Sequence, residues 1–260
     1  RRHRIPWIFE SHENFHRGAK DAASTLGLER EVYRSADLVL PISAPLRDDL
    51  QAEFGIEPGP VFPSGHSGAL TTVPAYEPEA PPRFLYVGSL HRWKGLDAFL
   101  LATKELAVPT DIAGDAGGLE RMREFVATHG LNHVTLHGQV APARLGDLYA
   151  PGTICVLPLS EAAIAQRYTS PLKLFEYASA GRPILLGDCP SVRSVPGAEE
   201  AVEFVETTTE AWREACTRLL EDPERRATRA SRARAFATRF TWTTLAERLA
   251  GDPSFQQVAG

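Results

Sequence analysis

The sequence predicts an α/β protein whose larger part is a parallel sheet covered on both faces. Three observations predict it. From residue 83 onward, short apolar runs recur at regular intervals. Helical stretches of about ten residues separate them, and strands joined in this way run parallel with right-handed crossovers. A proline-rich segment, 71–82, sets this series apart from a shorter stretch of the same kind before it.

The elements follow in order. Ile5–Phe9 reads as a strand, and the polar run Glu10-Ser11-His12-Glu13-Asn14 follows it. A helix is expected from about 16 to 35. Asp37–Ser43 is a short apolar run between turn signals, which is the pattern of a buried strand. Ala44–Phe54 reads as a helix that Gly55 stops, and Val61-Phe62-Pro63 as a short strand. Residues 1–70 therefore form a first unit and 71–82 a linker. In the second unit, 83–240, strands are expected at 83–87, 110–113, 134–136, 154–157, 183–186 and 202–205. Helices are expected near 95–106, 118–129, 142–150, 171–180, 208–220 and 223–238, with a last one at 241–250 inside the closing segment 241–260.

Composition narrows the function. The chain of 260 residues is 43% hydrophobic and 23% charged, which is the profile of a globular protein with a sizeable core. A net charge of −5 leaves no basic excess to neutralise phosphates, so nucleic acid is not an expected partner. Cys155, Cys189 and Cys216 are odd in number and far apart, and form neither a metal pattern nor a disulfide framework. A reducing cytoplasm is the expected compartment. The opening Arg1-Arg2-His3-Arg4 runs straight into an apolar piece, like a chain entered midway through a fold. Two readings of that basic start stand: a membrane contact or a solvated turn.

In a parallel sheet, ligands bind beyond the carboxyl ends of the strands, so the strand-to-helix loops carry the chemistry. In Val87-Gly88-Ser89-Leu90-His91-Arg92-Trp93-Lys94-Gly95, Lys94 is expected at the start of a helix, where the helix dipole is already positive. A bound anion would resolve that conflict; the other reading is a lysine that swings into water. In Ser170-Pro171-Leu172-Lys173-Leu174-Phe175-Glu176-Tyr177, Ser170 is expected as N-cap and Pro171 as first helical residue. Lys173 again places a cation in a first turn. The two anomalies on one sheet edge suggest one shared anion. Glu176 is suited to accept hydrogen bonds from sugar hydroxyls, or simply pairs with Lys173 at i,i+3. Ala113-Gly114-Asp115 is a strand-to-helix turn without the spacing of a dinucleotide fingerprint. His12 follows a strand and is placed to face a cleft. Glu10-x-His12 has no third ligand at a sensible spacing, so no metal site is expected.

These residues resemble the group 1 retaining glycosyltransferases of the GT-B fold. The resemblance is carried by Tyr86-Val87-Gly88-Ser89-Leu90 with Trp93-Lys94-Gly95, by Ala113-Gly114-Asp115, by Leu136-His137-Gly138-Gln139-Val140, and by 170–177 with Ala180-Gly181-Arg182-Pro183. It implies two Rossmann-like domains with parallel sheets facing across a cleft. The first, incomplete here, is on the acceptor side; the second binds a UDP- or GDP-sugar, and the last helix crosses back to the first. It further implies that Lys94 contacts the donor diphosphate, that Ser170, Pro171, Leu172 and Lys173 cradle the phosphates, and that Glu176 holds the ribose. Gly88 and Ser89 line the same site, Gly138 and Val140 meet the base, and His12 faces the reacting sugar. His12, Lys94 and Glu176 are thus the expected catalytic residues. No cofactor or metal is implied, and the acceptor is a carbohydrate, a lipid-linked sugar or a small molecule. A peripheral position at the inner membrane face fits such an acceptor.

Three departures from the family pattern stand out: Ser89 where arginine is common, Tyr168 where a paired glutamate is common, and Pro63-Ser64-Gly65 where Pro-Asn-Gly is common. Two rival functions remain, a sugar-nucleotide epimerase on the same fold and a nucleotide-sugar-binding fragment without turnover. The first needs a set of acid–base carboxylates that the sequence does not display.

Overall fold

A computed structural model describes residues 5–115 and 117–259. The basic opening Arg1–Arg4 therefore lies outside the described residues.

The N-terminal part holds two parallel strands, β1 (Ile8–Ser11) and β2 (Leu38–Pro41), paired from Ile8↔Leu38 to Ser11↔Pro41. The strand begins at Ile8 rather than Ile5, since Pro6 has no N–H to give a ladder and its partner starts at Leu38. Between the strands, helix α1 spans Ala22–Ser35. It starts later than the periodicity predicts. A 3-10 turn occupies Phe15–Gly18, and Asp21 then caps α1 by accepting from the amide of Ser24. Helix α2 (Ala44–Phe54) is capped by Ser43 and ends at Gly55 in the left-handed conformation. The strand expected at 61–63 does not form, because Pro60 and Pro63 remove donors on both sides of it. Only the amide of Phe62 reaches the carbonyl of Pro41.

The larger sheet is formed by β3 (Arg83–Val87), β4 (Thr110–Ala113), β5 (Val134–Gly138), β6 (Thr153–Leu157), β7 (Ile184–Gly187) and β8 (Glu203–Val205). Their order is β5-β4-β3-β6-β7-β8, all parallel. Every residue of β4, β6 and β7 is buried, so both faces are covered. The helices are α3 (Leu96–Ala102), α4 (Leu119–His129), α5 (Ala163–Arg167), α6 (Leu172–Ser179), α7 (Pro190–Arg193), α8 (Ala198–Ala201), α9 (Thr209–Glu221) and α10 (Pro223–Ala237). The short α5, α7 and α8 were not expected, since four or five residues carry too little periodicity to read. The segment expected as a helix at 142–150 is a 3-10 helix, Pro142–Leu148, and buries no residue.

Two aromatic chains knit the layers. Phe84 of β3, Phe99 of α3 and Trp212 of α9 meet edge to face with centroids 5.5 Å apart at each step. Phe175 of α6 stacks on Phe236 of α10 and lies 5.0 Å from Phe240. Residues 71–82 are strapped down rather than free. Arg182, fully buried, donates to the carbonyl of Pro74. Arg226 donates to the Tyr76 hydroxyl and to the carbonyl of Pro78. After α10 the chain passes beside His66, whose backbone brackets Thr241 by bonding Phe240 and Trp242, and enters α11 (Trp242–Ala250) and α12 (Pro253–Ala259); α12 reaches β2 of the N-terminal sheet.

The chain leaves β3 outward to β4 and β5, then crosses back to β6 on the other side of β3. The switch point is therefore the pair β3 and β6, and a crevice opens at their carboxyl ends.

Candidate active site

At that edge lies a cavity of about 380 Å³ lined by Val87, Gly88, Ser89, Ala113, Gly114, Asp115, Gln139, Val140, Leu145 and Lys173. Backbone geometry shapes it. Gly114 has φ 146°, and a Cβ there would overlap the carbonyl oxygen of Gly88. Its amide donates to Gly138 at 2.7 Å, and the amide of Gly88 donates to Ala113 at 2.9 Å. The three strand ends are thus drawn together and leave room above them. The β3–β6 ladder ends at Leu85↔Cys155. Beyond it, the amide of Val87 donates to the hydroxyl of fully buried Tyr177 on α6 at 2.7 Å. That bond fastens α6 to the switch point.

A larger hollow of about 600 Å³ lies further along the same edge. Its lining sets Glu161, Asp188 and Glu206 against Arg193, an acidic balance unsuited to a phosphate. The smaller cavity, with its lysine, is the better candidate.

Helix α6 departs from the expected capping. Pro171, not Ser170, is its N-cap, and no side chain caps it. The Ser170 hydroxyl instead accepts from the amide of Ser64 at 2.7 Å. The first-turn amides of Leu172 and Lys173 are therefore left to water or to an anion. Lys173 forms an ion pair with Glu176 one turn on, both side chains about a quarter exposed. Leu172 is exposed.

Lys94 is not in the first turn of α3. It closes a 3-10 turn, Arg92–Lys94, and Gly95 at φ 70° separates it from the helix. It lies outside the lining of the cavity. Its ammonium stands 3.9 Å from the centroid of the Trp93 ring and makes no ion pair among the described residues. Burial lowers its pKa to about 8. His12 is exposed and 3.3 Å from Glu10. The structure thus brings Gly88, Ser89, Val140 and Lys173 together in one cavity, with Gly138 and Glu176 attached to it through Gly114 and Lys173. Lys94, Ser170, Pro171, Leu172 and His12 do not line it. Sequence reasoning gave no site role to Asp115 or Leu145, and reached Gln139 only as part of the run Gly138–Val140 expected to meet the base. Asp115 and Gln139 do follow strand ends, which was the available signal, whereas Leu145 comes from a 3-10 helix.

A family model for group 1 glycosyl transferases matches residues 81–222, more than half of the chain. The chain belongs to this family. No curated protein sequence matches it. Among solved structures, sucrose-phosphate synthase from Thermosynechococcus elongatus is similar at 19% identity and TM-score 0.78, over 99% of this chain and 69% of that one. Anabaena HepE, solved with UDP and glucose, is similar at 18% identity and TM-score 0.77, over 95% and 70%. TarM of S. aureus, solved with UDP and α-GlcNAc-glycerol, follows at 15% identity and TM-score 0.73, over 96% and 50%. At these identities the likeness shows the fold, and the parallel α/β architecture of GT-B glycosyltransferases is the fold of this group 1 glycosyltransferase. Among the described residues no helix is long and apolar enough to cross a membrane.

Proposed function

We propose that this glycosyltransferase moves a sugar from a UDP- or GDP-sugar to an acceptor hydroxyl, with retention at the anomeric carbon. One observation carries the reading: Lys173, in the first turn of the uncapped helix α6, lines the switch-point cavity. Breaking the glycosidic phosphate bond leaves negative charge on the departing diphosphate. Oriented amides and a cation already aimed at that charge stabilise it without reorganisation. HepE and TarM, similar in fold, are seen with UDP, which supports a uridine donor.

In this reading Lys173 and the amides of Leu172 and Lys173 hold the diphosphate, and Ser170 and Pro171 shape their approach. Gly88 and Ser89 admit the phosphates near the β3 end. Gly138 and Val140 meet the base, and Gln139 adds a polar edge beside them. When donor enters, Lys173 exchanges its pairing with Glu176 for phosphate, which frees Glu176 to accept from the ribose hydroxyls. Lys94, a half-buried cation with no acidic partner among the described residues, gains one in the diphosphate. His12 belongs to the opposite wall, toward the reacting sugar. In this reading the cations of the chain, Lys173 and Lys94, neutralise the charge of the departing diphosphate.

Calorimetric titration with UDP, GDP and ADP tests the site. One nucleotide should saturate the wild type, and Lys173→Ala and Glu176→Ala should each weaken it about tenfold or more, on the order of 1.4 kcal/mol. A folded chain that binds none of the three would sink the proposal. Retention is read from the anomer of the product by NMR.

A further inference from the structure

The stretch just ahead of α6 is held by the N-terminal part of the molecule. Asp49 lies on α2, with its side chain 13% exposed. Arg167 grips it with a fork, Nε to Oδ2 at 3.0 Å and Nη2 to Oδ1 at 2.6 Å. Tyr168 donates its hydroxyl to Oδ2 at 2.8 Å. Ser43, already the cap of α2, donates to the carbonyl of Arg167 at 2.7 Å. Ser64 binds Ser170 twice: its amide donates to the Ser170 hydroxyl, and its own hydroxyl donates to the Ser170 carbonyl at 2.8 Å. The Tyr168 side chain is packed with Tyr33, Val39, Ile42, Leu46 and Leu50 in the core of the N-terminal part. Residues on both sides of the chain's proline-rich strap thus meet at 167–170, up to the residue before Pro171.

This has a consequence for α6. A serine just ahead of a helix ordinarily turns its hydroxyl onto the first-turn amides. Here that hydroxyl is engaged by Ser64, so the amides stay open. The bidentate fork on Asp49 sets the direction in which 167–170 enters the helix, because a planar guanidinium on a carboxylate fixes orientation as well as distance. Burial alone would raise the Asp49 carboxyl, yet the bonds from Arg167 and Tyr168 outweigh it and hold it below the usual range. The carboxylate is therefore charged, and the fork intact, at neutral pH.

We infer that Asp49 is a positioning residue for the nucleotide site: through Arg167 and Tyr168 it holds 167–170 so that the amide end of α6 stays open to the donor diphosphate. The inference rests on the donor site proposed above. It makes nucleotide affinity depend on a side chain from the opposite part of the molecule that touches no nucleotide.

The test is calorimetric titration of the whole chain with UDP and GDP, together with melting of the nucleotide-free protein. The variants are Asp49→Asn, Arg167→Gln, the double variant, and Asp49→Glu. Each of the first two should weaken nucleotide binding about tenfold in the folded protein. The double variant should be no weaker than the worse single, since both act through one contact. Asp49→Glu, which keeps the charge, should recover part of the loss. Ser64→Ala, which removes one of the two bonds to Ser170, reads the same effect if a clamp variant fails to fold. Unchanged affinity in Asp49→Asn, whatever its melting point, overturns the inference while leaving the donor site standing. So do losses that simply add in the double variant. A folded wild type that binds neither nucleotide instead overturns the donor site, and the inference with it.

Discussion

Lys94 shows how a single residue can hold stability and binding against each other. A shift from 10.5 to about 8 corresponds to on the order of 3 kcal/mol of unfavourable burial of its charge. The sign follows from proton counts. Between about pH 8 and 10.5 the unfolded chain binds more protons than the native one, so this group's contribution to stability rises with pH across that window. Below about 8 the penalty is at its full size. Lys94→Met should therefore melt at a higher temperature than the wild type at pH 7 without nucleotide, and the gain should vanish toward pH 10.5. The same variant should bind nucleotide at least about tenfold more weakly if the ammonium meets the donor diphosphate as proposed. A variant that melts lower at pH 7 would show that the ammonium is satisfied as it stands. Lys173 is the contrasting case. Its charge is already paired with Glu176, so its replacement should change binding more than stability.

At the scale of the element, α6 carries the most. Its apolar face, Leu174, Phe175, Tyr177 and Ala178, is fully buried, while Lys173 lines the cavity and pairs with Glu176. Tyr177 joins the two roles, since its hydroxyl takes the last β3 amide where the β3–β6 ladder gives out. Tyr177→Phe keeps the packing and leaves the Val87 amide unpaired in the core, which costs about 1–3 kcal/mol. Thermal melting should fall by roughly 2–12 °C for a chain of this size. No fall in melting temperature would mean that water reaches Val87 and the site is wetter than the burial of its neighbours implies. The capping of α6 was misread from sequence for a plain reason. Ser170-Pro171 is a good local start signal, and the residue that claims the hydroxyl, Ser64, lies 106 positions away.

At the scale of the molecule, two hydrophobic clusters of unequal size divide the chain. The larger wraps both faces of the six-stranded sheet. The smaller gathers Tyr33, Val39, Ile42, Leu46 and Leu50 under two strands, with Tyr168 reaching in from the other part. Local opening free energy scales with buried apolar contact. Amides of β2 should therefore exchange with deuterium well before those of β6 and β7, by about tenfold or more in protection. Nucleotide should slow exchange in 167–173 as well as in the cavity loops. Equal protection in β2 and β6 would mean that the two clusters open as one unit.

The amino-acid sequence by itself determined the parallel α/β class, the six strands after residue 83 and the two lysine-bearing loops. Each is written in short-range signals: apolar runs, helical spacing, and glycine or proline at the ends. It also carried the family, because the run from 170 to 183 is contiguous. Tertiary structure decided what those signals leave open. It placed Asp115, Gln139 and Leu145 around the cavity, set Lys94 apart from it, and moved the cap of α6 from Ser170 to Pro171. It also tied 167–170 to Ser43, Asp49 and Ser64. These are contacts between residues far apart in the chain, and their geometry exists only once the sheet has set which loops share an edge.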